Sequence, residues 1–162
     1  MRRGINIFLL LVFTCFYAEA QAQTINVYGS WNQTINHTHL QSGAGSNLVS
    51  RVESAADQVT VDVMKGFWGW FLGFNWVVYI HRNDLSWHSD LPLRARRTGA
   101  GSGLGGSISG GLSYQPISIA SQMFFSGRLN RVDIPVQYEV GLSVTIPPGT
   151  YSTTIIYTLT EI

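Results

Sequence analysis

Cysteine is almost absent from this chain. Its 162 residues contain one cysteine, Cys15, which lies in an N-terminal apolar run that we interpret below as part of a removable leader. The mature chain is therefore expected to contain no cysteine, which excludes disulfide bonds even if the protein is exported. A domain of roughly 140 residues without cross-links must be stabilised by its hydrophobic core alone.

Charge is also scarce, and the two signs balance. Charged residues make up 12% of the chain, and the formal net charge is +1. Arg2, Arg3 and Glu19 fall within the leader, so the mature chain is neutral. This balance provides no general attraction to nucleic acid or to anionic lipid. A weakly charged surface instead suits assembly with neighbouring subunits or contact with neutral glycans.

Residues 1–22 have the parts of a secretory signal peptide. Two arginines precede an apolar run from Ile7 to Tyr17, which is too short to span a bilayer comfortably. Alanines then follow at the spacing of two candidate cleavage sites. We therefore predict that residues 1–22 are removed, that residues 23–162 are exported, and that the mature chain has no transmembrane segment.

Apolar residues alternate with polar ones along much of the remaining chain, which is typical of half-buried antiparallel strands. The clearest examples are 132–140 and 151–160, which are rich in β-branched and aromatic residues. Clusters of Gly, Pro, Asn and Ser separate the alternating segments and predict turns. The predicted strands are 24–31, 58–64, 75–83, 91–97, 113–119, 122–127, 132–140 and 151–160.

This pattern predicts an all-β fold, namely an antiparallel Greek-key, Ig-like sandwich of about seven or eight strands. A closed barrel is the alternative. We expect residues 23–162 to form a single domain. The glycine-rich segment 99–111 predicts a flexible loop, and residues 52–61 could contain one helical turn.

The last strand is expected to be structural. Alternation places Ile155, Tyr157 and Leu159 on the core side, and we expect residues 132–140 to be its antiparallel neighbour.

The end of the chain carries a family resemblance. In residues 141–162, GLSVTIPPGTYSTTIIYTLTEI, a Pro-Gly turn is followed by Tyr151 and an alternating terminal strand. This segment resembles the closing strands of bacterial surface β-sandwich proteins, including spore-coat U-type and related pilin subunits. It is also similar to the distal signature of cell-wall-binding WxL domains, with Tyr157 where that family prefers Trp. The proximal Trp-x-Leu element of those domains is absent, so the resemblance implies a bacterial surface sandwich without implying peptidoglycan binding.

An aromatic segment, GFWGWFLGFNWVVYI at residues 66–80, contains Trp68, Trp70 and Trp76. Such rings can stack on sugars, because they combine a flat apolar face with a polar group. The alternative is a buried strand pair, with the glycines marking turns or bulges. We retain Trp68, Trp70 and Trp76 as candidate glycan-binding residues.

One basic cluster stands out in this weakly charged chain. On a strand, Arg94 and Arg96 would share one face, and Arg97 would take the other. Arg94 and Arg96 could bind an anionic polymer such as an acidic polysaccharide. Alternatively, their charge could protect an edge strand against unwanted pairing.

No catalytic, metal or cofactor site is predicted. Ser86, His88 and Asp90 have the residue types of a hydrolase triad, but they alternate along one short stretch and cannot converge without a sharp turn. The glycine pattern in 101–106 lacks the strand and helix that a dinucleotide site needs. His37 and His39 alone do not complete a metal site.

These observations predict a non-catalytic surface protein. Its expected function is that of an exported structural subunit of a bacterial fibre, coat or adhesive layer, located in the periplasm or at the cell surface. Partners would be copies of itself or other surface subunits, joined by strand addition, and residues 24–31 are a plausible donor strand. The alternative is a free-standing secreted glycan-binding module that uses the aromatics of 67–76.

Overall fold

The computed structural model describes residues 23–42, 45–66, 73–84 and 86–162. The predicted signal peptide therefore lies outside the described residues. Strands dominate this part of the chain, and its one helical element is a short 3-10 turn at His37–His39. No described helix has the length and apolar character needed to cross a membrane. The strands are β1 (Thr24–Tyr28), β2 (Arg51–Glu53), β3 (Val59–Met64), β4 (Asn75–Asp84), β5 (Leu93–Arg97), β6 (Ser107–Gly110), β7 (Gln115–Pro116), β8 (Gln122–Arg128), β9 (Arg131–Gly141) and β10 (Thr153–Glu161).

The strands form two antiparallel sheets that pack as a β-sandwich, as predicted. The larger sheet has the order β1-β3-β9-β5-β7, and β2 also pairs with β9. The smaller sheet has the order β10-β4-β8-β6. Strands β2 and β3 both pair with the same side of β9 and resemble one interrupted strand. The interruption follows Ser54, whose amide donates to the Tyr138 carbonyl at 2.9 Å.

The core lies between the sheets and follows from the period-two pattern. In β3, Val59, Val61 and Val63 are buried, and the residues between them are half-buried. Strands β9 and β4 contribute alternating apolar side chains from opposite sides, including Ile134 and Ile80. One continuous cluster of buried side chains results.

The predicted terminal strand has the expected facing but a different neighbour. Ile155, Tyr157 and Leu159 pack on the core side of β10. Their strand pairs with β4, from Thr153↔Asp84 to Glu161↔Trp76, so the prediction of 132–140 as its neighbour is wrong. Strand β9 instead belongs to the opposite sheet. It contacts β10 across the core, where the hydroxyls of Tyr138 on β9 and Tyr157 on β10 form a hydrogen bond.

Two local predictions were also wrong. The glycine-rich segment 99–111 contains strand β6, which pairs with β8, so it is not wholly a flexible loop. Residues 54–58 form a tight turn, closed by a hydrogen bond from the Gln58 amide to the Ala55 carbonyl at 3.2 Å, in place of the suggested helical turn.

Strand β1 pairs with β3 of its own sheet, from Thr24↔Met64 to Tyr28↔Thr60. The predicted donor strand is therefore an edge strand of this chain, and it ends three residues earlier than predicted, at Tyr28.

Candidate functional site

A cleft opens between the two sheets on the side where β1 and β10 lie. Its volume is about 380 Å³, within the range of roughly 300–1,000 Å³ that is typical of small-molecule sites. We call it the aromatic cleft, because its wall and floor contain two tryptophans and three tyrosines. The lining residues are Val27, Gly29, Ser30, Trp31, Asn32, Val59, Trp87, Leu93, Tyr138, Tyr151, Ser152, Thr153, Thr154, Ile155 and Tyr157.

Trp31 reaches the cleft because the chain turns sharply after β1. Gly29 has φ +109°, in the region that favours glycine, and a Cβ at this position would lie 2.5 Å from the Gln58 carbonyl oxygen. The Gln58 side chain then holds the turn by donating to the Ser30 carbonyl at 2.6 Å. As a result, the indole of Trp31 stacks on Tyr138, with ring centroids 6.3 Å apart and planes 11° apart.

The opposite wall is held by hydrogen bonds to the backbone. The Trp87 indole donates to the Leu91 carbonyl at 2.8 Å, and the Arg82 guanidinium lies over its ring at 6.0 Å. The Tyr151 hydroxyl donates to the Pro147 carbonyl at 2.6 Å. Each of these side chains is therefore held by a contact within the protein.

The floor of the cleft contains a buried pair of tyrosines. The hydroxyls of Tyr138 and Tyr157 lie 2.7 Å apart, one donating to the other. Burial raises the pKa of Tyr138 to about 12, and burial with the neighbouring phenol raises the pKa of Tyr157 well above its ordinary value. Both phenols are therefore neutral at physiological pH.

A second polar cluster covers the outer face of the larger sheet. The Glu139 side chain is only 3% exposed there, and its carboxylate accepts hydrogen bonds at 3.2 Å from both Arg51 and Arg94. These two arginine side chains are 59% and 47% exposed. The buried carboxylate thus fixes two guanidinium groups that remain partly open to solvent.

Arg96 continues this cluster along β5. Its guanidinium donates twice to the Gln137 side-chain carbonyl, at 3.0 and 2.9 Å, and lies 4.6 Å from the ring centre of Tyr114. Burial, followed by the nearby carboxylate of Glu53, raises the pKa of Tyr114. Arg96 is therefore held by polar and cation–π contacts.

The predicted facing of the arginines is confirmed. Arg94 and Arg96 contact outward side chains of β9, whereas Arg97 is buried and donates to the carbonyls of Gly110 and Gly99. The edge-strand alternative does not describe β5, which pairs with both β9 and β7. Binding of an acidic polysaccharide stays a prediction, in which the ligand would compete with β9 side chains for these guanidinium groups.

Trp76 is a core residue, which corrects its interpretation as a glycan-binding side chain. Its ring is 0% exposed, lies 6.1 Å from Phe125 at an interplanar angle of 80°, and donates from Nε1 to the Leu129 carbonyl at 2.8 Å. A sugar cannot reach a ring that is enclosed in this way. The other two candidates, Trp68 and Trp70, lie outside the described residues.

The residues with catalytic potential are not arranged as a catalytic triad. The Ser86 hydroxyl bonds the Ser152 hydroxyl at 2.9 Å, and His88 Nδ1 accepts from the Asp90 amide at 3.2 Å. This arrangement differs from a Ser-His-Asp relay, in which the histidine bonds the serine hydroxyl and the carboxylate. Across the described ranges, no group of His, Cys, Asp and Glu side chains is positioned to hold a metal ion.

Sequence reasoning missed Trp31, Trp87 and Tyr151 as residues of one site. They are far apart in sequence, but Trp31 ends a predicted strand, and Trp87 and Tyr151 each directly follow a predicted turn. Aromatic residues at the ends of predicted strands and turns were therefore the available signal.

Comparison of the chain with family models, with curated proteins and with solved structures found no match.

Proposed function

We propose that this chain is an exported, non-catalytic β-sandwich subunit of a bacterial fibre, coat or adhesive layer, which associates with copies of itself or with other subunits through its sheet edges. The observation that carries the proposal is the contrast between the two sides of the sandwich. One side ends in short, protected strands, and the other ends in strands without proline and with a single charged residue.

The protected side consists of β6 and β7. Strand β7 has two residues, one of which is Pro116, and β6 ends at Gly110. Short length and proline are common means of preventing edge-to-edge association. Arg97 further closes this side, because its side chain and backbone amide donate to the carbonyls of Gly110 and Gly111.

The unprotected side consists of β1 and β10, which lie in contact with each other without pairing. Strand β1 contains no charged residue or proline, and the nine residues of β10 contain one charge, at Glu161. Edges of this kind readily add a strand from another chain. Natural proteins suppress such edges unless they use them, which supports a role in assembly.

The test places a lysine on each side. Thr158 on β10 and Ser109 on β6 are both exposed, so Thr158→Lys and Ser109→Lys should fold equally well. Mass and shape would be measured for residues 23–162 by size-exclusion chromatography with light scattering and by electron microscopy. We expect the parent and Ser109→Lys to form multimers, and Thr158→Lys to form fewer, because a charge disfavours strand addition at its edge.

Two results would overturn the proposal. One is a parent chain that remains monomeric at every concentration tested. The other is association that Ser109→Lys and Thr158→Lys reduce to the same extent.

A further inference from the structure

We propose that the aromatic cleft is a binding site for a neutral sugar. This site is distinct from the aromatic segment 66–80. Strands β1 and β10 contribute to its lining, but the inference does not rest on the proposed role in assembly.

Three aromatic rings are placed around the cleft. Trp31, Trp87 and Tyr151 come from three separate parts of the chain and are half-buried, so each presents part of its ring to the cleft. Each is fixed by its own contact: a stack on Tyr138 for Trp31, and a hydrogen bond to a backbone carbonyl for Trp87 and Tyr151. A site whose side chains are already fixed loses little conformational entropy when a ligand binds.

The lining of the cleft is uncharged. None of the lining residues carries a carboxylate, an ammonium or a guanidinium group. The tyrosines of the floor keep their protons at physiological pH, since their pKa values are raised. Arg82 lies over the ring of Trp87 at 6.0 Å and is not among the lining residues. A charged ligand would therefore lose hydration without gaining an ion pair.

The rim of the cleft is polar. Ser30, Asn32, Ser152, Thr153 and Thr154 line the cleft with hydroxyl and amide groups. Such groups both donate and accept hydrogen bonds, as the hydroxyls of a sugar ring do. Aromatic faces match the apolar C–H faces of the same ring. Aromatic rings, neutral hydrogen-bonding groups and the absence of charge together match a neutral carbohydrate better than an acidic ligand or a purely apolar one.

The test is affinity electrophoresis of residues 23–162 in native gels that contain dextran, mannan or a mixed-linkage β-glucan, with polygalacturonate as the acidic comparison. We expect at least one neutral polysaccharide to retard the parent and polygalacturonate to have no such effect. Trp87→Ala should weaken the retardation about tenfold or more, since truncated aromatic anchors commonly cost that much affinity. The matched control is Tyr28→Ala, which removes an exposed ring from β1 that does not line the cleft.

A second variant keeps the test valid if Trp87→Ala fails to fold. Asn32 and Thr154 are exposed at the rim, so replacing both with alanine leaves the core unchanged. The double variant should melt at the temperature of the parent and lose about fivefold or more in retardation, because two neutral hydrogen bonds are removed.

Several outcomes would overturn the inference. These are a parent that no neutral polysaccharide retards, equal losses in Trp87→Ala and Tyr28→Ala, and equal retardation by polygalacturonate. If the cleft variants change the oligomeric state but not the retardation, the cleft is a contact between copies and the sugar inference fails. The lysine variants at the sheet edges report on assembly separately, so failure of one proposal is distinguishable from failure of the other.

Discussion

The buried tyrosine pair allows a quantitative test of the core. Tyr138 and Tyr157 come from opposite sheets, and their hydroxyls share one hydrogen bond of 2.7 Å. Tyr138→Phe or Tyr157→Phe removes one hydroxyl and leaves the other buried without its partner. Phenylalanine preserves the ring contacts, namely the stack of Tyr138 on Trp31 and the approach of Tyr157 to Phe124 at 6.3 Å. The measured effect therefore reports on the hydroxyl groups alone.

The expected magnitude follows from the cost of an unpaired buried group. Each single substitution should lower the free energy of unfolding by about 1–3 kcal/mol, because the remaining hydroxyl is desolvated without compensation. Replacing both tyrosines removes both polar groups, which is often nearly neutral. The double variant should therefore be more stable than the sum of the single effects predicts, by up to the two single losses together, about 2–6 kcal/mol.

The assay is urea unfolding of the parent, both single variants and the double variant, followed by circular dichroism. Linear extrapolation gives the four free energies, and the double-mutant cycle gives the coupling between Tyr138 and Tyr157. Strictly additive effects would show that the two hydroxyls do not depend on each other. A single variant as stable as the parent would show that water satisfies the remaining hydroxyl.

Three further predictions concern pH, packing and the edge strand. Unfolded tyrosine ionises near pH 10, whereas folded Tyr138 keeps its proton to about pH 12, so the contribution of Tyr138 to the free energy of unfolding is fully present below pH 10. Urea titrations should show this free energy falling by about 3 kcal/mol as the pH rises from 10 to 12. A free energy of unfolding that does not change over this range would contradict the burial of this phenol. Gly127→Ala should lower the free energy of unfolding by about 1–3 kcal/mol, because the new Cβ would overlap the Trp76 ring. This loss of stability should be smaller when the substitution is made in a Trp76→Phe variant, which has a smaller ring. Leu159→Ala should lower the free energy of unfolding by about 2 kcal/mol, whereas substitution of the exposed Thr158 by alanine should leave it almost unchanged. Equal melting temperatures for these two variants would refute the assignment of Leu159 to the core side of β10.

The fold class could be predicted because alternation is a local property. Strand β3 alternates strictly, and each valine that the pattern assigns to the core is buried. Pairing could not be predicted in the same way, since the alternation of β10 states which side chains face inward but not which strand lies beside it. Strand β6 was missed because glycine and serine have weak strand propensity, and its structure comes from pairing with β8.

The candidate sites were harder to predict, for two physical reasons. The aromatic cleft joins Trp31, Trp87 and Tyr151, which are brought together by the packing of the sheets and by turns that have no periodicity. On the outer face, alternation correctly turns Glu139 away from the core, but Arg51 and Arg94 cover its carboxylate and bury it. Burial on the outer side of a sheet depends on neighbouring strands and is not encoded in the strand itself.

The large separation in sequence between the paired strands β4 and β10 has a kinetic consequence. All nine residues of β10 pair with β4. One side of β4 therefore remains unpaired until residues 153–161 have joined the sheet. Until then, a partly folded chain exposes an apolar strand with unpaired backbone groups, and the floor of the aromatic cleft lacks Tyr157. Folding therefore has to wait for a contact between distant parts of the chain, and during that interval the intermediate is most vulnerable to aggregation or proteolysis.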